Sequence, residues 1–216
     1  KRQAYFIENF SNVIDASNKT ISGLTKPIFN QINSDASISN MNLVTSSEGV
    51  TGGGVLANRA LGATISDVSV SGVLNADRDN SGGLIGESNA QISNSTSSVI
   101  INGDNFSNIG GLVGLSTGLV ENSYATGDVT GATNVGGLVG KANDDDGIFN
   151  SYASGKVIAL GDDALIGQNA GGLVGFAYYS TISSSVAKGN VTAEGNTLGG
   201  GQNAGGLVGK AWGDIT

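Results

Sequence analysis

The chain has 216 residues, among them 36 glycines and one proline but no cysteine and no histidine. Ten Lys and Arg against eighteen Asp and Glu leave a net charge of −8, which argues against nucleic acid or an anionic membrane surface as partner. Without His or Cys there is no Ser/His/Asp or Cys/His nucleophile, no usual zinc site and no disulfide framework, and no apolar run is long enough to span a bilayer as a helix.

Residues 1–20 hold Tyr5, Phe6, Ile7 and Phe10, followed by Val13-Ile14-Asp15. This is the densest aromatic cluster in the chain and reads as a lead-in or cap, because an open end of a repeat array exposes strand edges and core. The array is expected to begin near residue 21. There, Lys26-Pro27-Ile28-Phe29-Asn30 stands as a degenerate first copy of a glycine block that becomes explicit downstream. That block is worn at Gly53-Gly54-Val55-Leu56-Ala57 and nearly complete at Gly82-Gly83-Leu84-Ile85-Gly86. It is then repeated as Gly-Gly-Leu-Val-Gly from Gly110, Gly136, Gly171 and Gly205. From first glycine to first glycine the steps are 29, 28, 26, 35 and 34 residues, a period that marks a repeat architecture.

After each block comes a second phrase, apolar–x–Asn/Asp/Ser–x–x–small. Aligned copies place Ile65, Ile92, Val120, Ile148 and Ile182 in one apolar column. Val70, Ser97, Ala125, Ala153 and Ala187 form a small column, and Leu74, Ile101, Val129, Val157 and Val191 a second apolar one. Ala125, Gly127 and Val129 alternate with period two, as a strand does, and Asn122 to Ala125 breaks the parity, so a bend is expected near Ser123. The fold class that follows is all-β. It is a parallel β-helix (β-solenoid) of about seven coils of 26–35 residues, each made of about three short strands, and right-handed by the rule for parallel crossovers. The glycines mark either positive φ or backbone packed too closely for a side chain. The column Asp67, Asn94, Asn122, Asn150 reads as a ladder of side chains satisfying turn backbone.

Candidate sites are few. Asp144, Asp145 and Asp146, between Asn143 and Gly147, could offer carboxylates to Ca²⁺, but they lack the spacing of a calcium loop and read as a solvated acidic turn, so no cofactor is expected. The glycine blocks lack the Lys-Ser/Thr of a phosphate loop. Acidic residues sit in loops that vary between coils, so no catalytic residue is assigned. Tyr124 and Tyr152 share an outward column with Thr96 and Val186. The two longest coils carry Gly167-Gln168-Asn169-Ala170 and Gly201-Gln202-Asn203-Ala204, 34 residues apart. Insertions at one point of adjacent coils lie side by side, so Gln168, Asn169, Gln202 and Asn203, with Tyr178 and Tyr179 nearby, form the expected recognition surface. The chain opens at Lys1 without Met, and Ile215-Thr216 would start another second phrase. It therefore reads as part of a longer protein, with residues 21–216 a repeat array cut inside a coil.

Gly-Gly-Leu-Val-Gly followed by Ile-x-Asn-Ser-x-Ala-x-Gly-x-Val resembles the GLUG repeat of large bacterial surface proteins. Those include adhesins and the N-terminal region of IgA-cleaving metallopeptidases. The stretch from Ile14-Asp15 through Thr20-Ile21-Ser22-Gly23-Leu24 to Lys26-Pro27-Ile28-Phe29 also resembles the start of that region. The resemblance implies a secreted or surface-anchored, non-catalytic module serving as adhesin stalk or platform for host glycan or protein. Its alternative is a substrate-positioning domain of a metallopeptidase whose catalytic domain, with His-Glu-x-x-His, lies elsewhere in the parent chain. Other domains of that parent would then be partners too.

Overall fold

A computed structural model describes residues 5–143, 147–161, 168–194 and 202–213. Among them every strand pairing is parallel and joins one coil to the next. The protein is an all-β parallel β-helix. Three sheets run along it. The first has eight strands: Ile7–Phe10, Phe29–Ile32, Ala57–Ala60, Ile85–Ser88, Val113–Ser116, Val139–Asn143, Val174–Tyr178 and Val208–Trp212. The second has fifteen and the third five, the latter from Ser81–Gly82 to Asn203–Gly205.

The lead-in is itself paired into the stack. Ile7–Phe10 pairs in register with Phe29–Ile32, and Val13–Leu24 pairs with Ser37–Thr45 across two register shifts. Residues 7–24 are thus a paired coil of their own, more exposed than the others, and the array reaches back to Ile7. Phe10 earns that placement by packing on Phe29, with ring centroids 4.9 Å apart. The strand count per coil is also higher than three. From Ile109 to Gly131 one coil passes through Ile109–Gly110, Val113–Ser116, Val120–Glu121, Tyr124–Ala125 and Val129–Gly131.

The columns read from the sequence stack as expected. Ile65, Ile92, Val120, Ile148 and Ile182 face one another in register. So do Ser97, Ala125, Ala153 and Ala187, and Ile101, Val129, Val157 and Val191. Leu56, Leu84, Leu112, Leu138 and Leu173 form a further column with no exposed surface, joined by backbone hydrogen bonds of 2.8–3.0 Å that run on to Leu207. Each such side chain contributes roughly 1.5–3 kcal/mol on burial. The contribution exists only because the next coil covers it.

The block glycines are set by crowding, not by φ. None of them is among the positive-φ residues. A Cβ on Gly111 would lie 2.0 Å from the Gly137 carbonyl oxygen, and one on Gly137 would lie 2.1 Å from that of Gly172. Backbone stacks on backbone there, leaving no room for any side chain.

Asn122 makes the bend predicted near Ser123, but its column works differently from the ladder expected. Asn40, Asp67, Asn94, Asn122 and Asn150 all take left-handed backbone, with φ between 47° and 54°. Asn and Asp enter that region more readily than other non-glycine residues, which accounts for their recurrence. The coil-to-coil hydrogen bonds come instead from the serine that directly follows in the phrase. Ser95 N–H donates to Ser123 Oγ at 3.2 Å, Ser123 to Ser151 at 3.2 Å and Ser151 to Ser185 at 3.1 Å. Each hydroxyl in turn donates to the carbonyl two residues before it, at 2.7–2.9 Å.

Candidate functional site

The true amide ladder runs through the residues read as a recognition surface. Asn203 Nδ2 donates to Asn169 Oδ1 at 2.8 Å, and Asn169 Nδ2 to Asn134 Oδ1 at 2.7 Å. Asn134 continues to Asn108 at 2.8 Å, and Asn108 to Asn80 at 2.7 Å. Asn169 is only 5% exposed and Asn203 half-buried. Gln168 is 2% exposed, and its Nε2 donates to the Gly161 carbonyl. Asn169 and Asn203 are held in the coil stack, and Gln168 is buried with its Oε1 unpartnered among the described residues, so the expectation of a free amide surface is corrected for these three. Gln202 is exposed beside them. Register explains the outcome: the inserted length precedes Gln168, so the Gln-Asn pair has already rejoined the third sheet, where Asn169–Gly171 pairs with Asn203–Gly205. Asp144, Asp145 and Asp146 lie outside the described residues.

The tyrosines fare otherwise. After Gly-Gly-Leu-Val-Gly, three successive coils read Lys141-Ala142-Asn143, Phe176-Ala177-Tyr178 and Lys210-Ala211-Trp212, paired residue for residue on the first sheet. Strand alternation turns the alanines in and the flanking residues out. Ala142 and Ala177 are buried, whereas Tyr178 is 36%, Trp212 51% and Tyr179 59% exposed. Left-handed backbone at Tyr179, φ 49°, ends that strand and swings its ring to 4.7 Å from Tyr178, edge to face. Phe176 meets Trp212 at 6.0 Å and Tyr178 at 6.2 Å, both edge to face. Lys141 and Lys210 place their ammonium groups 5.5 Å from the Phe176 centroid, and Lys210 lies 5.4 Å from that of Trp212. Such cation–π contacts hold exposed lysines at about 0.5–1 kcal/mol each. The outcome is a preorganised, ring-rich face carrying two positive charges on an acidic chain.

Sequence reasoning found Tyr178 and Tyr179 but missed Phe176, Trp212, Lys141 and Lys210. The signal was present, since the residues two and four places after each block's Val form columns of their own, as the leucines do. Tyr124 and Tyr152 stack in register as expected between Thr96 and Val186, with Lys188 Nζ 5.6 Å from the Tyr152 ring.

A family profile described as the GLUG motif matches residues 107–130, 131–158 and 166–192. Three GLUG repeats thus lie between residues 107 and 192. Among curated proteins it is similar to the immunoglobulin A1 protease of Streptococcus sanguinis, at 38% identity over 159 residues. The alignment takes in 66% of this chain and 8% of that protein, so the chain spans a small part of its relative's length. The first two matched segments meet at Thr130 and Gly131, inside the Val129–Gly131 strand of the second sheet, so each of these repeats is one coil that begins just before the third sheet. The aromatic face draws on the second and third matched repeats and on the coil after them.

Proposed function

We propose that this GLUG array is a non-catalytic stalk and binding platform of a secreted or surface-displayed bacterial protein, and that the Phe176–Tyr178–Tyr179–Trp212 face is where it meets host glycan or protein. The exposed rings of Tyr178, Tyr179 and Trp212, braced on half-buried Phe176, carry the reading. Aromatic faces of this kind stack on sugar rings or supply the anchors of a protein interface, and lysines held against them add a charge-assisted rim. The stacked coils support it by holding the face rigid at low entropic expense on binding. The test is a screen of glycans and host proteins with the wild-type chain beside a Tyr179→Ala/Trp212→Ala variant. Binding lost at least tenfold in a variant with unchanged melting is the expected result. Equal binding by the two chains removes this face from consideration.

A second reading is favoured by one observation, the similarity to an immunoglobulin A1 protease. In it the array positions substrate for a catalytic domain elsewhere in the parent chain. Surface plasmon resonance against immobilised immunoglobulin A1 separates the two. Saturable binding, lost in the same variant, favours substrate positioning, and absent binding alongside a positive glycan result favours the platform.

A further inference from the structure

On the upstream half of the array, before the matched repeats, a cleft of about 290 Å³ opens beside the first sheet. Arg59 and Arg78, the two arginines among the described residues, both line it, together with Asp79, Glu87 and the amides of Asn30, Asn58 and Asn80. The charges are matched in pairs. Arg59 Nη2 lies 3.2 Å from Glu87 Oε1 across adjacent coils. Arg78 grips its neighbour Asp77 through Nε at 2.7 Å and Nη2 at 3.2 Å. Asp79 Oδ1 accepts the Ser107 N–H at 2.8 Å. Each of these groups spends only part of its hydrogen-bonding capacity, since a guanidinium has five N–H donors and a carboxylate about four acceptor positions.

The amide ladder ends here. Every rung from Asn203 to Asn108 donates Nδ2 to the carbonyl of the coil before it, so the chain of amides is polarised in one direction. Asn80 is its last member. Its carbonyl is engaged by Asn108, which leaves its Nδ2 to donate at the cleft, strengthened by the four amides behind it.

The lining thus offers donors from Arg59, Arg78 and Asn80 interleaved with acceptors from Asp79 and Glu87, and its two positive and two negative charges cancel. A phosphate or carboxylate would meet carboxylates that already hold the guanidinium groups, on a chain of net charge −8. Vicinal hydroxyls, which each donate and accept, match this lining without adding charge. At about 290 Å³ the cleft stands at the small end of ligand sites and suits a single ring. We propose that the Arg59–Arg78–Asn80–Glu87 cleft binds one uncharged sugar residue through vicinal hydroxyls. The site is separate from the aromatic face and stands or falls independently of it.

Saturation-transfer NMR on the 216-residue chain, with glucose, galactose, mannose and N-acetylglucosamine as separate probes and glucuronate as the charged control, tests it. At least one neutral sugar should receive saturation from the Trp212→Ala chain, with the effect reduced about tenfold when Arg78→Gln/Glu87→Gln is added to it. These side chains are substantially exposed, and a melting curve checks that the double variant folds. Should it not, Glu87→Gln alone, which keeps the shape of the side chain, is expected to weaken the same signal. Saturation of no neutral sugar, a signal indifferent to both cleft variants, or a signal for glucuronate alone overturns the proposal. Saturation in the wild-type chain that is lost in Trp212→Ala overturns it as well and assigns sugar binding to the aromatic face.

Discussion

The upstream and downstream coils solve one stacking problem in two ways. Upstream, the second sheet is built of long strands, Val13–Leu24, Ser37–Thr45, Thr64–Asn75 and Thr96–Gly103. Downstream, the same path is chopped into two- and three-residue pieces such as Tyr124–Ala125 and Val129–Gly131. The switch falls at one column. Val99, buried in the middle of a continuous strand, is followed at the same position by Gly127, Gly155 and Gly189. A Cβ on these would lie 2.0, 1.9 and 1.8 Å from the carbonyl oxygens of Val99, Gly127 and Gly155. Where glycine stacks on glycine, the backbone closes in and regular pairing stops. The downstream coils keep register through point contacts, which explains why they accept extra length. The ladder bond from Asn169 to Asn134 spans 35 residues at 2.7 Å, while that from Asn134 to Asn108 spans 26 at 2.8 Å.

The comparison is sharpest for the leucine column, because its last described member, Leu207, is only partly buried. Leu138→Ala should lower stability by about 2–5 kcal/mol, as central core truncations do. Leu207, only partly buried, should lose distinctly less on the same change. Urea midpoints at constant slope decide it, and equal losses would show that coil position does not govern burial energy.

Next in size is the second glycine of the block. Gly137→Ala puts a methyl 2.1 Å from Gly172 O and 2.9 Å from Ala153 Cβ, an overpacking expected to cost about 1–3 kcal/mol. Gly206 holds the same place in the last described coil, with nothing within 4 Å of where a Cβ would lie. There Ala should be neutral or stabilising by about 0.4–1 kcal/mol, through a less flexible unfolded chain. Opposite signs in paired thermal melts are the expected result, and a loss at Gly206 matching that at Gly137 would assign the glycines to backbone conformation after all.

Much of this was legible beforehand. The leucine and isoleucine columns could be read because their side chains are what the repeat preserves, and a coil that cannot bury them alone must stack. The bend at Asn122 was equally plain from the broken parity. The amides were misread because the same residue, Asn, serves two purposes that composition does not separate. Asn94, Asn122 and Asn150 recur for their left-handed backbone, whereas Asn108, Asn134 and Asn169 recur for their side-chain rungs. Asn108 and Asn134 even combine both, with φ 58° and 52°. The aromatic face was half-read, since Tyr178 and Tyr179 are adjacent in sequence while Trp212 and Lys210 reach them only through register.

The ladder supplies a third test. Asn134→Ala removes one rung from the middle, strands the amide of Asn169 and should cost about 1–3 kcal/mol. Asn203→Ala takes away an end rung, leaves fewer partners unmet and should cost less. Amide hydrogen exchange across Asn169–Gly171 reads the same difference locally, with faster exchange in the Asn134 variant only.

The smallest effect belongs to the first coil, whose turn is braced by the carboxylate of Asp15. Asp15 accepts the Ser17 N–H at 2.8 Å and the Asn40 Nδ2 at 3.0 Å. Those two bonds, the backbone one foremost, hold its carboxyl below the ordinary 3.8. A carboxylate with a lowered folded pKa stabilises the fold above its unfolded value, and that contribution disappears as pH falls through the folded one. Wild type should therefore exceed Asp15→Ala in melting temperature at neutral pH, and the gap should narrow once pH drops below about 3.8. The group is fully exposed, so solvent and salt screen it and the gap is small throughout. Asn122→Ala is the control, because Asn122 itself does not titrate and its deficit should not narrow with acid in this way. Subtracting one series from the other cancels every carboxylate the two variants share. A difference that stays flat across the acid range would show that Asp15 shapes its turn by backbone geometry alone, as the downstream asparagines do.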